Sequence, residues 1–262
     1  MTTISASLVK ELREQTGAGM MDCKRTLEET GGDLDAAKRL LREKGMAAAG
    51  KRADRSTPEG RVAYRIEGGV GTLVAVGCET EPVSKNEAFQ AFAERVLDAV
   101  EQNGPDAVET LESERQELVG KLGENIRVVG ASRLEASDGE SLAAYVHPPA
   151  NKIGAIVKVR GGSDAEARDL AMHLSFARPR FLTREQVPAD EVESERDVLL
   201  HTEDVLSKPE NVREKIVEGR IQKWFADSVL LDQPWYREAG QTVAQAIGGL
   251  EVLDFAVYAL AG

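Results

Sequence analysis

Little in this chain is suited to making or breaking covalent bonds. Its three histidines, His147, His173 and His201, are scattered, and its two cysteines, Cys23 and Cys78, stand far apart with no metal-type spacing. A lone histidine more often serves packing than chemistry. No Gly-x-x-x-x-Gly-Lys-Ser/Thr phosphate loop occurs. Aromatic residues make up only 5% of the chain, so whatever core forms must be aliphatic. Basic residues are outnumbered 33 to 45, giving a net charge of −12. A chain this acidic is poorly placed to neutralise phosphates, and direct nucleic-acid binding is not expected. No apolar run approaches the roughly 20 residues that span a bilayer, so no membrane association is expected. The first ten residues lack a basic segment followed by an apolar one, so a secretory signal is not expected either. The resulting expectation is a cytoplasmic protein with reduced thiols and no cofactor or bound metal.

What the sequence does have begins at Leu12. The run Leu-Arg-Glu-Gln-Thr-Gly-Ala-Gly-Met-Met-Asp-Cys-Lys breaks an amphipathic helix with Gly17 and Gly19 and opens the next with two adjacent methionines. Glycine tolerates the positive φ that ends many helices. Methionine is adaptable, so Met20 and Met21 in an interhelical turn suit contact with another protein, the alternative being that both plug a local core. Residues 1–45 read as three short helices, with apolar faces at Leu8/Leu12, Cys23/Leu27 and Leu34/Ala37/Leu41. Gly31-Gly32 stops the second, Asp33 caps the third, and Gly45 is expected to end it. Residues 46–60 offer small and charged side chains and read as a partly helical linker.

Beyond it lies a repeat, offset by about 80 residues. In the first copy Val62, Tyr64 and Ile66 alternate, Gly68-Gly69-Val70-Gly71 turns, a strand runs from Thr72 to Val76, and a helical pattern follows from Glu87 to Val100. In the second, Leu142, Ala144 and Val146 alternate, Pro148 to Asn151 turns, Ile153 to Val159 returns, and a helix runs from about Ala165. Alternation of this kind predicts antiparallel sheets covered on one face by helices, an α+β fold. Between the copies lie a charged helical stretch, Ala107 to Gly123, and a strand holding Ile126, Val128 and Val129. Asp190 to Asp227 reads as two helical arms broken at Ser207-Lys208-Pro209, with Val192, Val198, Leu199 and Val205 facing Val212, Ile216, Val217 and Ile221. That arrangement is a protruding antiparallel helical hairpin.

The segment Cys78-Glu79-Thr80-Glu81-Pro82-Val83-Ser84-Lys85-Asn86 joins an apolar strand to a helix yet places Pro82-Val83 at its tip. Pro82 is expected to hold Glu81 extended. The pair Glu79 and Glu81 invites an acid–base reading, but no companion groups accompany it. The choice is between an ordinary strand-to-helix connection and a stiff wedge aimed at a partner.

The Thr16–Lys24 and Gly77–Asn86 segments together closely resemble the elongation factor Ts family. Leu8-Val9-Lys10-Glu11-Leu12-Arg13, Ala88-Phe89-Gln90-Ala91-Phe92-Ala93, Gly123-Glu124-Asn125, Tyr145 with His147, Ala171-Met172-His173 and Val217-Glu218-Gly219-Arg220 extend the likeness over the chain. The resemblance implies a guanine-nucleotide exchange factor for elongation factor Tu, acting by binding rather than as an enzyme. It implies a ubiquitin-associated-like domain at 1–45 and a linker at 46–60. It also implies core subdomains at 61–140 and at 141–180 with 228–262, and a coiled-coil hairpin at 181–227. It makes Thr80, Glu81, Pro82 and Val83 the element that dislodges Mg²⁺ from the partner, and Leu122 and Gly123 the lining of a pocket for a partner side chain. Met20, Met21, Lys24 and His147 become further partner contacts. A homodimer or a 2:2 complex is compatible with this reading. The family usually carries Asp-Phe where this chain has Glu81-Pro82, and proline lacks the contact area of a ring. Two competing functions stay open on the residues alone: a small-molecule enzyme with a helical appendage, and a ubiquitin-like-modifier adaptor using the three helices.

Overall fold

The computed structural model describes residues 4–260. Met1–Thr3, which carry part of the reading of the N-terminus, lie outside the described residues, as do Ala261 and Gly262. The first described elements are helices α1 (Ala6–Thr16), α2 (Met20–Glu29) and α3 (Leu34–Arg52). Val9, Leu12, Cys23, Leu27 and Ala37 are buried together, flanked by Leu8, Leu34 and Leu41, the faces that helical spacing predicts. Gly17 ends α1 in the left-handed region at φ 66, its N–H donating to the Arg13 carbonyl, whereas Gly19 sits at an ordinary φ of −59. Only the first of the two glycines is needed for its backbone. The Asp33 carboxylate accepts from Ala36 N at 2.9 Å, capping α3 as expected.

Gly45 does not end that helix. It lies in the middle of α3, where the helix crosses α6 (Glu112–Leu122), and a Cβ on Gly120 would stand 2.7 Å from Gly45 Cα. The glycine serves close approach of two helices, a use that no local pattern separates from a helix stop. Arg42 spans the same crossing to Glu117 at 3.0 Å.

The repeat is present as two three-stranded antiparallel sheets. β1 (Glu59–Glu67), β2 (Val70–Cys78) and β3 (Ile126–Glu135) form the first, in the order β1-β2-β3. β4 (Glu140–Val146), β5 (Ile153–Gly161) and β8 (Leu250–Ala259) form the second, in the order β4-β5-β8. The first turn is only Gly68-Gly69, since Val70 and Gly71 already pair with Glu67 and Ile66. Each central strand carries a register shift against its outer neighbour, at Ala75/Val76 and at Lys158/Val159, places that stand equally far beyond Gly71 and Gly154. The first shift leaves Val129 as the extra residue of its strand, which is why this valine is exposed.

Helices α5 (Glu87–Asn103) and α7 (Asp164–Ala177) cover the outer faces. Phe89, Phe92, Val96 and Val100 of α5 meet Val74, Val76 and Cys78; Leu170, Ala171 and Leu174 of α7 meet Ala155, Val157 and Val159. The inner faces cover each other rather than meeting water, with Val62, Leu73, Ala75 and Leu134 against Ala144 and Ile156. The two central strands are therefore buried on both sides. Glycines seat this contact: a Cβ on Gly71 would lie 2.6 Å from Ile156 Cδ1, and one on Gly154 would lie 2.8 Å from Val62 Cγ1.

Between α7 and β8 run α8 (Ala189–Leu200), α9 (Glu203–Leu206), α10 (Glu210–Ser228), β6 (Pro234–Trp235), β7 (Glu238–Thr242) and α11 (Val243–Ala246). Arg184 pairs with Asp232 and Arg196 with Glu218, so the two arms run in opposite directions. Val205, Val217 and Ile221 form their buried centre, with Leu199, Leu200, Ile216 and Phe225 around it. Val198 and Val212, expected inside, are exposed. A second break at His201-Thr202, where the Thr202 hydroxyl donates to the Leu199 carbonyl at 2.8 Å, turns the chain and changes which residues face inward.

Candidate functional site

Between the end of β2 and the start of α5 the chain makes one further turn of helix, α4 (Glu81–Ser84). The extended residue expected at Glu81 is Thr80, at φ −131 and ψ 153; Glu81 already belongs to the helical turn, and Pro82 occupies its first positions, where a missing N–H costs nothing. Glu81 and Pro82 are exposed, whereas Val83 is half-buried against the first core and Ser84 is buried. The Ser84 hydroxyl donates to the Glu81 carbonyl at 2.7 Å, closing the turn. Lys85 Nζ lies 2.7 Å from Glu81 Oε1, and its hydrogen bond and charge hold the Glu81 carboxyl below the usual carboxylate range. The tip thus presents an ionised carboxylate beside a proline ring.

Its base is tied to two other segments. Glu124, just past α6, accepts from the backbone N–H groups of Glu79 and Thr80 at 3.1 and 3.0 Å and from the Thr80 hydroxyl at 2.5 Å. Glu79 accepts from Asn125 N at 2.7 Å and faces the Arg55 guanidinium at 3.3 Å. Asn125, fully buried, donates from Nδ2 to the carbonyls of Ala53 and Arg55 at 3.2 and 2.7 Å. Burial, with Glu124 nearby, pushes the Cys78 thiol up to about 12, so it stays protonated. Its Sγ lies 3.3 Å from the Thr80 carbonyl. Glu79 is therefore committed to structure, which removes it from any acid–base pairing with Glu81. Glu124 and Asn125 form this base at a sequence distance that no local pattern reports.

Leu122 and Gly123 end α6 immediately before these anchors. Leu122 is half-buried against the first core; Gly123 is exposed at φ 77 with open space where a Cβ would stand. The side chain of Lys121, one residue earlier, lies across Gly17 and so links this helix end to the α1–α2 turn. On that turn Met20 and Met21 are 53% and 63% exposed, which overturns the core-plug alternative. Lys24 is exposed as well, 3.8 Å from Glu28 on the same helix. The loop tip, the end of α6 and the methionine pair are thus connected through α6 and the segment after α3.

His147 belongs to a different place. It follows β4 in the second sheet, exposed, with the Tyr145 hydroxyl 3.1 Å from its Nδ1 and the edge of Phe176 at 5.6 Å between ring centroids. Phe176 is 63% exposed and was not marked by any sequence pattern. His173 is buried instead, its Nε2 3.0 Å from Gln233 Oε1 and its ring stacked on Trp235 at 5.1 Å. Burial holds its pKa below the ordinary value. His201 closes α8. Among the described residues the three histidines share no site, and no group of three or more metal-ligating side chains occurs.

Comparison with known proteins assigns the chain. A family model described as elongation factor TS matches residues 79–261. A protein of Halorhodospira halophila named elongation factor Ts is 44% identical over 273 residues, covering 98% of this chain and 91% of its own. Proteins of the same name from Idiomarina loihiensis and Cronobacter sakazakii are 39% and 40% identical, covering 96% and 94% of this chain and 89% and 87% of their own lengths. The chain belongs to the elongation factor Ts family.

Proposed function

We propose that this member of a translation elongation factor family binds elongation factor Tu in its GDP form and speeds the exchange of GDP for GTP. No bond is made or broken. The chain favours a partner that has lost its grip on Mg²⁺ and diphosphate, and the coupling is reciprocal by thermodynamic necessity. A coupling of about 3 kcal/mol weakens nucleotide affinity roughly 150-fold. Mg²⁺ bound to a nucleotide is held by few protein oxygens besides phosphate and water, so small displacements of its ligands release it. GTP in excess then displaces the factor.

In this reading Glu81, Pro82 and Val83, carried on Thr80, enter the partner's nucleotide-binding domain. Leu122 and Gly123 receive a partner side chain, Met20, Met21 and Lys24 dock a second surface, and His147 a third. Residues 1–45 act as a ubiquitin-associated-like module joined by 46–60 to core subdomains at 61–140 and at 141–180 with 228–262, and 181–227 is a coiled-coil arm. The protein works in the cytoplasm and contacts no nucleic acid directly. The observation that supports this most is the exposed Glu81-Pro82 tip on a base cross-linked by the Glu124 and Glu79 carboxylates and the Asn125 amide. A site built this way is made to push rather than to react.

The test is release of labelled GDP from elongation factor Tu at sub-stoichiometric amounts of the chain. Acceleration is expected; equal affinity for loaded and empty partner overturns the proposal. Pro82→Ala is expected to slow release several-fold, and Pro82→Phe to restore or exceed the parent rate by adding aromatic contact area. Parent rates for both variants remove the tip from the mechanism.

A further inference from the structure

Every polar atom of Thr80 is already engaged within the chain. Its N–H and hydroxyl both go to Glu124, at 3.0 and 2.5 Å, and its carbonyl accepts from Ser84 N at 3.1 Å with Cys78 Sγ at 3.3 Å. The two carboxylates below it reach past each other. Glu124 takes the backbone of Glu79 and Thr80, while Glu79 takes the backbone of Asn125 and the Arg55 guanidinium. Asn125 in turn holds the carbonyls of Ala53 and Arg55, the segment that leaves α3. Three stretches distant in sequence are fastened at one point, two of them through the Glu79 and Glu124 carboxylates, whose hydrogen bonds are stronger than those between neutral groups, and the third chiefly through the Asn125 amide.

We infer that Glu124, Glu79 and Asn125 are positioning residues for exchange: they clamp the root of the Glu81-Pro82 tip and fasten it to the exit of α3, and Thr80 is the anchor of the tip rather than a partner contact. The inference rests on the exchange reading above. Its physical basis is that a projection can strain a partner only if it yields less than the partner does. A segment ordered beforehand also spends no binding free energy on becoming ordered. Fastening the root to the end of α3 fixes the tip relative to the helices that carry Met20 and Met21, so that the two surfaces engage in register.

The test uses the full chain with Glu124→Ala, Glu124→Gln and Thr80→Val, read by amide hydrogen exchange on the free protein and by GDP release from elongation factor Tu. In Glu124→Ala the amides of Glu79 and Thr80 are expected to exchange about tenfold faster or more, the fold-change that a charge-assisted hydrogen bond is worth. Amides of α5 and of central β2 keep their protection, which reports an intact fold. The maximal rate of GDP release falls by a similar factor, while the concentration for half-maximal effect moves less than about threefold, because the exposed contact surface is unchanged. Glu124→Gln, which keeps an acceptor without the charge, falls between the parent and Glu124→Ala. Three results overturn the clamp: unchanged protection at Thr80, freed amides with an undiminished maximal rate, or a Thr80→Val variant whose loss is confined to affinity. If the parent chain fails to accelerate GDP release, the exchange reading falls, and the exchange of the Glu79 and Thr80 amides still decides whether the clamp exists.

Discussion

The two halves of the core are built alike and finished differently. Each lays a hairpin and a third strand under one long helix, with its register shift at the same place on the central strand. They part where that strand hands over to the helix. In the second half only Gly162 and Ser163 separate β5 from α7, and Ser163 caps the helix at once, its hydroxyl accepting from Glu166 N while Glu166 reaches back to Ser163 N at 2.7 Å. In the first half residues 79–86 intervene, with the extra turn α4, the exposed Glu81-Pro82 tip and the clamp beneath it. The plain connection shows that the fold needs nothing more at this point. The additional residues of the first half are the ones the exchange proposal puts to use.

That contrast can be broken by experiment. Replacing residues 79–86 with the Gly-Ser connection of the second half is expected to abolish acceleration of GDP release, leaving only the spontaneous rate, while circular dichroism retains the helix and sheet signals. Acceleration that survives the graft would place the activity elsewhere. Next in size are matched core deletions. Phe92→Ala in the first half should cost about 3–5 kcal/mol and Leu174→Ala in the second about 2–5 kcal/mol, since both side chains are fully buried. Because the inner faces of the sheets cover each other, each variant should still lose both halves in one denaturant transition; two separated transitions would show that the halves are independent.

The smallest effect separates the halves by acidity. The second half buries His173 with its pKa depressed, and the first buries no histidine. The unfolded chain takes up a proton near the ordinary value of 6.5, while the folded chain resists it until a lower pH. Stability is therefore full above about 6.5, falls as the pH drops towards the folded value, and levels off below it. Denaturation midpoints between pH 7.5 and 5.5 should show this fall in the parent and a flatter profile in His173→Asn. Equal slopes would remove His173 from the pH response.

The α+β class and the duplication were legible because period-two alternation and paired glycines are local signals: Val62-x-Tyr64-x-Ile66 and Leu142-x-Ala144-x-Val146 announce strands without help from the rest of the chain. The caps at Gly17 and Asp33 were legible for the same reason. Gly45 was not, because its reason for being glycine is Gly120, across a helix crossing. The inner and outer residues of the helical arms were misassigned at Val198 and Val212, since the break at Thr202 shifts the facing residues and rests on one hydroxyl. The tip could be read from Pro82 and its neighbours. Its clamp could not, because Glu124 and Asn125 meet Glu79, Thr80 and Arg55 only after the chain has folded.

The glycines between the sheets carry a consequence of their own. Gly71 of the first half leaves room for Ile156 of the second, and Gly154 of the second leaves room for Val62 of the first. Each half is the mould of the other. A methyl gained at Gly71 asks for room from Ile156 and Leu142 across the seam, and one gained at Gly154 asks for room from Val62 across it and from Val146 on the adjoining strand. A side chain added at either glycine is therefore felt in both sheets at once.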